Sequence, residues 1–400
     1  MPPPVSTLHE PAPGLLPRAR PAPSLDALLS LAFRPLYIAG AAWALVAIGI
    51  WIYAPQLLTG ELQGIAWHAH EMLWGFIATV AVAFLMTAAA NWTGINPLKG
   101  RVLAIACVLW VIARVGFLVV GGLAFRIAAT AELLFFLIAA VAMMRAVYSA
   151  GNARNYAVPW LLVGLAAADL LYLLAARDGD FALLMQRFDA GLLVMAMIAL
   201  LVARRVIPFF AMRAVPGLAI PMQTRMGQVQ LAACVAAVAL VLVGMQMPVA
   251  IALAIAGALS LVQVWRWKPF AIRQHPLLWI LYAGYTGLGI GLLTAACAAA
   301  GIRHVPLALP VHVIAMAGFS VLIIGMLTRT ALGHLGLPLT VDRGILASYV
   351  LMFAAVALRL VALLPSTYAM AALHLSAAAW IAVFALYLWR FGPLLIRPRI

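Results

Sequence analysis

Charged residues are scarce in this 400-residue chain, where Asp, Glu, Lys and Arg together make up 9% of the sequence. A soluble domain has roughly 25% charged residues. Hydrophobic residues instead make up 67% of the chain. This balance excludes an ordinary soluble domain and places the chain in the membrane class.

Cysteine is also rare, and the three cysteines are scattered. Cys107, Cys234 and Cys297 each lie inside an apolar run, and no two of them form a CxxC pair. We interpret them as buried free thiols, because nothing in their spacing indicates a disulfide framework.

Acidic residues number only 10 against 25 basic ones, which gives a net charge of +15. In a soluble protein this excess can indicate nucleic-acid binding, but here the arginines interrupt apolar runs and form no basic tract. We therefore exclude nucleic acid as a partner. Loops that carry arginine are expected on the cytoplasmic side of a membrane.

The first 30 residues are rich in Pro and Ala and contain no continuous apolar stretch before their arginines. This pattern is not that of a signal peptide. We interpret residues 1–30 as a disordered cytoplasmic tail and residues 31–400 as a single transmembrane helical domain.

Long apolar runs fill the rest of the chain, and a membrane-spanning helix needs ~20 mostly apolar residues. The sequence predicts an all-α fold, a polytopic membrane helix bundle with about 12 transmembrane helices. They cover residues 36–54, 67–90, 102–122, 126–147, 158–176, 181–203, 228–247, 248–267, 276–300, 306–328, 345–365 and 367–390. Basic residues concentrate in the two tails and in alternate loops, so both termini are predicted to be cytoplasmic.

Histidines interrupt this apolar background. Trp67-His68-Ala69-His70-Glu71 opens the second predicted span, and His312 and His374 lie near the same side of the membrane in later spans. Ionisable residues are costly in a bilayer and are usually functional there. We therefore predict that four residues are metal ligands: His68, His70, His312 and His374. Imidazole suits copper, zinc and haem iron alike, so the histidines do not identify the metal.

Sequence spacing limits which histidines can share a metal. His68 and His70 differ by roughly 200° of helical rotation, so each faces a different partner unless the helix begins irregularly. His312 and His334 are separated by roughly 33 Å along a continuous helix. His334 therefore belongs with His275 on the inner side, where a second site or a structural histidine is expected. The alternative for any of them is an interfacial histidine that only hydrogen-bonds a carbonyl or a lipid headgroup.

Among the charged residues inside predicted spans, five need a partner within the membrane: Arg114, Glu132, Asp169, Asp189 and Arg359. One interpretation is mutual ion pairing, for example of Arg114 with Glu132 or Asp169. The other is that Arg114 or Arg359 binds a haem propionate, because a guanidinium matches carboxylate geometry. Glu71, Glu132 and Asp189 are also candidates for a proton relay.

Several short motifs occur in order along the chain. They are Phe33-Arg34-Pro35, Trp67-His68-Ala69-His70-Glu71 followed by Gly75-Phe76, Asn91-Trp92-Thr93-Gly94, Arg205-Val206-Ile207-Pro208-Phe209-Phe210, His275-Pro276, His312 to Gly318, Leu332-Gly333-His334 and Gly392-Pro393-Leu394. In order and spacing they resemble the NnrS family of bacterial membrane proteins. The resemblance extends from about residue 30 to the C-terminus.

The resemblance implies a multi-pass protein of the bacterial inner membrane that contains haem, of b type, and copper. It implies a role in the response to nitric oxide, linked to denitrification and to resistance against nitrosative stress. The family pattern is similar to this chain at His68, His70, Glu71, His275, His312 and His334. We expect Glu71 to act in catalysis. The expected cofactor-binding residues are His275, His334, Arg114 and Arg359.

Three functions agree with these features. The first is a nitric oxide reductase-like enzyme, which couples two NO molecules to nitrous oxide with two protons and two electrons from a quinol or a periplasmic redox protein. Neutral NO enters such a protein through lipid and needs no polar channel. The second function is a sensor that binds NO without consuming it. The third is a transporter of metal, haem or a small solute.

Overall fold

The computed structural model describes residues 22–302, 306 and 308–399. Residues 1–21, which make up most of the predicted tail, lie outside the described residues, as does His304, which precedes the motif at His312. The described part of the chain is helical and contains no strand. The all-α class predicted from the sequence is therefore confirmed.

Twelve long helices make up most of the described residues. They are α1 (Phe33–Tyr53), α2 (Gly64–Thr93), α3 (Gly100–Gly116), α4 (Gly122–Ser149), α5 (Ala157–Asp178), α6 (Phe181–Ala214), α7 (Thr224–Leu242), α8 (Gln246–Arg266), α9 (Pro276–Ala299), α10 (Ala308–Leu335), α11 (Arg343–Ala362) and α12 (Ala369–Leu395). The shorter elements are a one-turn helix and three 3₁₀ turns: Leu25–Leu28, Pro55–Leu57, Ala153–Asn155 and Pro269–Ile272. Eleven of the long helices are long and apolar enough to cross a membrane, whereas α3 has 17 residues. The chain is a multi-pass membrane protein, and the predicted number of long helices is confirmed.

The two ends of the described chain lie on the same face of the bundle. The Ser24 backbone NH donates to the Ile396 carbonyl at 2.9 Å, and Arg34 Nη1 donates to the Leu395 carbonyl at 2.9 Å. An even number of crossings produces this arrangement, and the arginine distribution predicts that the shared face is cytoplasmic. Because Leu25–Leu28 is helical, regular structure begins before residue 31, the predicted start of the domain.

Helix α2 is the centre of the bundle: 83% of its most apolar stretch is buried, against 22% for α7. Its Phe76 ring packs against α12, and its Thr79 hydroxyl accepts a hydrogen bond from the Trp110 indole of α3 at 2.8 Å. On another side the Trp74 indole donates to the Leu165 carbonyl of α5 at 3.3 Å. Side chains of α2 therefore face protein and not lipid.

Helices α2 and α10 each contain a π-helical stretch, a widened turn in which hydrogen bonds span five residues. The stretches are Glu71–Ala78 and Val313–Ser320, and each begins directly after a histidine of the sequence motifs. At the end of each, the hydroxyl of Thr79 or Ser320 donates to the carbonyl five residues earlier, at 3.2 and 2.8 Å. π-Helical turns are rare and occur frequently at functional sites. No sequence feature predicted these two.

Glycines let α9 and α10 approach each other closely. A Cβ atom added to Gly284 would lie 2.7 Å from the backbone nitrogen of Leu322, and one added to Gly291 would lie 2.8 Å from that of Ile314. Backbone atoms cannot move aside as a flexible side chain can. Small residues are the usual means of close helix packing within a membrane, where lipid offers no hydrophobic driving force.

We predict that Gly284→Ala or Gly291→Ala lowers the free energy of unfolding by roughly 1–3 kcal/mol, the usual cost of overpacking. The matched control is Gly49→Ala on α1, because nothing lies within 4 Å of a Cβ at that position. Unfolding of the purified proteins in mixed detergent measures the effect. Equal stability of the α9 variants and the Gly49 variant would contradict the close packing of α9 on α10.

Candidate functional site

Five charged side chains meet in the interior of the bundle, and we call them the charge cluster. They come from four helices, α2 to α5, and each is at most 2% exposed: His70, Glu71, Arg114, Glu132 and Asp169. Charges buried at this depth are strongly destabilising unless each has a partner. The arrangement of the cluster is therefore set by pairing within the protein.

Arg114 lies between two carboxylates. Its Nη1 atom donates to Glu71 Oε2 and its Nη2 atom donates to Glu132 Oε1. The ion pair of Arg114 with Glu132, one of the two interpretations of the sequence, is present. Because both terminal nitrogens bind protein carboxylates, the structure favours ion pairing for Arg114, and its binding of a haem propionate stays a prediction.

Glu71 is held by further neighbours. The Trp43 indole of α1 donates to Glu71 Oε2 at 2.6 Å, and Glu71 Oε1 lies 3.0 Å from His70 Nδ1. Gly75 makes room for this contact, since a Cβ there would lie 2.7 Å from Glu71 Oε2 and 2.8 Å from Trp43 Nε1. Both oxygens of Glu71 are therefore engaged, and this carboxylate is fixed in position.

The other imidazole nitrogen of His70 faces two more carboxylates. Its Nε2 atom lies 3.0 Å from Asp169 Oδ1 and 3.2 Å from Glu132 Oε2. Aromatic rings enclose the imidazole, with the Phe117 ring edge-on at 4.8 Å and the Tyr172 ring stacked at 5.7 Å between centroids. His70, Glu132 and Asp169 offer ligand atoms that all lie within 4.8 Å of one another, and among the described residues this is the one group of at least three potential metal ligands.

Glu132 and Asp169 were identified from the sequence as charges in need of partners, but not as companions of His70. They lie on separate helices, and no short motif joins them. The sequence signal for a functional role was their position, because both fall in the middle of apolar spans.

A second set of polar residues lies at the other face of the same turn of α2. The His68 ring stacks on Trp51 of α1, with centroids 4.9 Å apart and planes inclined by 8°. His312 of α10 and Arg359 of α11 are its electrostatic neighbours on the other helices. We call His68 and His312 the outer histidine pair. His68 and His70 thus face different partners, as their spacing on a regular helix requires.

Both histidines of the outer pair retain a free nitrogen. His68 Nδ1 is buried and has no hydrogen-bond partner in the described part of the chain. His312 Nδ1 lies 2.7 Å from the Ala308 carbonyl, which fixes the ring and leaves Nε2 available. Arg359, which is partly buried, forms no ion pair with any described carboxylate.

The remaining predicted histidines lie apart from these two sets. His374 is exposed on α12, beside Tyr53, with ring centroids 5.6 Å apart. On the opposite face of the bundle, His275 caps the start of α9, and His334 near the end of α10 packs on Phe33 at 5.2 Å. The four predicted metal ligands, His68, His70, His312 and His374, thus lie beside different neighbours, and metal binding by each of them stays a prediction.

An apolar cavity of about 90 Å³ lies between α2, α6, α9 and α10. Its lining is entirely apolar, and it includes Ile77 and Phe319, which belong to the two π-helical stretches, together with Phe84, Met195 and Met326. A cavity of this size and character suits a small apolar molecule and excludes an ion.

Comparison with known proteins gives one match. A family model described as "NnrS protein" matches residues 27–399, nearly the whole chain. No curated protein and no solved structure matches the chain.

We predict that Arg114→Leu lowers the free energy of unfolding by roughly 3–5 kcal/mol, because it leaves Glu71 and Glu132 buried without their cation. The control is Arg126→Leu on the neighbouring helix α4, where the arginine is exposed and in no described ion pair. Its effect should stay within about 0.5 kcal/mol. Detergent unfolding curves of the two variants test this, and similar curves would contradict the pairing.

Proposed function

Because the chain belongs to the NnrS family, we propose that it binds and removes nitric oxide at a haem or copper held by histidines in the bacterial inner membrane. The observation that carries the proposal is the outer histidine pair. Two imidazoles from different helices, each with a nitrogen left over, lie beside an arginine that no described carboxylate neutralises. Such a set is suited to a metal group that also carries a negative charge.

The residues fit the implied cofactors. A buried nitrogen such as His68 Nδ1 is costly without a partner, and a metal bond satisfies it. His312, whose Nδ1–H donates to the Ala308 carbonyl, presents a fixed Nε2 lone pair, the usual arrangement of a metal-binding histidine. Arg359 matches a haem propionate in charge and geometry. His68 and His312 would therefore hold iron or copper, and Arg359 a carboxylate of haem.

The haem would be held by side chains alone, as in a b-type protein. Covalent haem attachment needs a CxxCH motif, and the three cysteines, at 107, 234 and 297, are isolated. His275 and His334, at the opposite face, stay predicted cofactor ligands for a second group.

The proposed reaction joins two NO molecules to nitrous oxide and water, with two electrons and two protons. A bound haem iron or copper would supply the redox centre, and a quinol or a periplasmic redox protein would supply the electrons. NO would enter the protein from the lipid, in which it dissolves. The cavity at Ile77 and Phe319 would admit it, because the walls of that cavity are apolar. Glu71 stays the predicted catalytic carboxylate, and because both of its oxygens are engaged it would also hold His70 in position.

We predict that His68→Ala and His312→Ala each lower the haem or copper content of the purified full-length protein roughly tenfold or more, a loss in the range seen when metal sites are disrupted. Optical spectra and elemental analysis measure this. His374→Ala is the matched control, since it removes an exposed imidazole near the same end of the bundle. Full haem and copper in both outer-pair variants would overturn the assignment.

Turnover requires a separate measurement. An NO electrode under anaerobic conditions, with a reductant and a mediator, should record faster consumption by the wild-type protein than by the His68→Ala variant. Binding of NO in the optical spectrum without consumption would overturn the proposed removal and favour a sensor.

A further inference from the structure

We propose that His70, Glu132 and Asp169 bind one divalent transition-metal cation at a site separate from the outer histidine pair. We call these three residues the carboxylate site. They come from α2, α4 and α5, and the proposal rests on their own geometry, so that it stands independently of the haem and copper.

The spacing of His70 Nε2 from each carboxylate oxygen matches a coordination sphere, and all three ligand atoms lie within 4.8 Å of one another. His70 Nε2 lies 3.0 Å from Asp169 Oδ1 and 3.2 Å from Glu132 Oε2. Nitrogen and oxygen ligands lie about 2.0–2.2 Å from such a metal, and two neighbouring ligands are then separated by roughly 3.0–3.4 Å. The imidazole nitrogen and each carboxylate oxygen are therefore spaced as two neighbouring ligands of one ion would be.

Hydrogen bonds within the protein do not satisfy every oxygen of the carboxylate site. Two carboxylate oxygens converge on His70 Nε2, but one ring nitrogen carries one proton, and in the structure only Asp169 Oδ1 is hydrogen-bonded to it. Glu132 Oε2 and Asp169 Oδ2 are buried without a hydrogen-bond partner among the described residues. A buried carboxylate oxygen without a partner is expensive and indicates a missing ion or water. A cation between the three residues would satisfy Glu132 Oε2, and it would also satisfy Asp169 Oδ2 where that carboxylate binds through both oxygens.

Neighbouring residues support the three ligands as they do in known metal sites. A metal-binding histidine normally gives its second ring N–H to a carboxylate, and His70 Nδ1 lies 3.0 Å from Glu71 Oε1. Arg114 binds the other oxygen of Glu132 and so orients that ligand. Trp43 holds Glu71 in turn, at 2.6 Å.

The charge of the cluster also calls for a dication. Three carboxylates and one guanidinium carry a net charge of −2 when His70 is neutral. A proton on His70 reduces this to −1, whereas a divalent cation reduces it to zero. Uncompensated charge inside a membrane-embedded bundle is costly, so the dication is the better match.

The donor set restricts the choice of metal. One imidazole with two carboxylates suits Fe²⁺, Mn²⁺ or Zn²⁺. Mg²⁺ and Ca²⁺ prefer oxygen ligands alone, and Cu⁺ prefers sulfur. Manganese is a convenient probe, because it is neither the metal of haem nor copper.

The test uses the full-length protein, stripped with a chelator and then loaded with Mn²⁺, Zn²⁺ or, without oxygen, Fe²⁺. Elemental analysis after gel filtration should find about one equivalent of cation per chain. Asp169→Asn should lower this content at least tenfold, because the amide keeps the shape of the side chain but loses its charge. The matched control is Asp189→Asn on α6, a half-buried aspartate that belongs to no described ion pair. This control variant should bind as much cation as the wild-type protein does.

A second measurement does not depend on how the variants fold. Loading the stripped wild-type protein should raise its unfolding temperature, since a ligand that binds only the folded state stabilises it. Failure of all three cations to bind or to raise that temperature would overturn the proposal, as would equal binding by Asp169→Asn. The proposed nitric oxide function is judged separately: His68→Ala should keep the cation, and Asp169→Asn should keep haem or copper.

Discussion

The interior of this bundle depends on the pairing of the Arg114 guanidinium with the carboxylates of Glu71 and Glu132. Three carboxylates inside a membrane-spanning bundle would repel one another and would favour water over protein. One guanidinium that bridges two of them lowers that cost. The bridge joins α2, α3 and α4, and it fixes Glu71, which in turn fixes the imidazole of His70. The positions of the ligand atoms around His70 Nε2 follow from it.

Helix α2 gives the chain two chemically different sites from one short motif. His68 and His70 are two residues apart and therefore point in different directions. His68 faces α1, α10 and α11, where its neighbours include an imidazole and a guanidinium. His70 faces the carboxylates of α4 and α5. The π-helical stretch begins immediately after them and runs to the apolar cavity. The outer histidine pair is suited to a soft or haem-bound metal, and the carboxylate site to a harder dication.

The sequence predicted the parts of this architecture that depend on composition and local spacing. Twelve long helices follow from hydropathy, and the opposed directions of His68 and His70 follow from the period of the α-helix. The convergence of Glu132 and Asp169 on His70 depends on how separate helices rotate and pack, which a single sequence does not encode locally. The same limit explains His374, which lies near the same end of the bundle as the outer histidine pair but is exposed beside Tyr53.

The most direct test of two separate sites is pulsed electron paramagnetic resonance on the manganese-loaded protein, which counts the histidine nitrogens bound to Mn²⁺. With the ion at His70, Glu132 and Asp169, the spectrum should show one histidine nitrogen, and His68→Ala should leave it unchanged. Coupling to two histidine nitrogens, or its loss in His68→Ala, would place the ion at the outer pair and contradict the account.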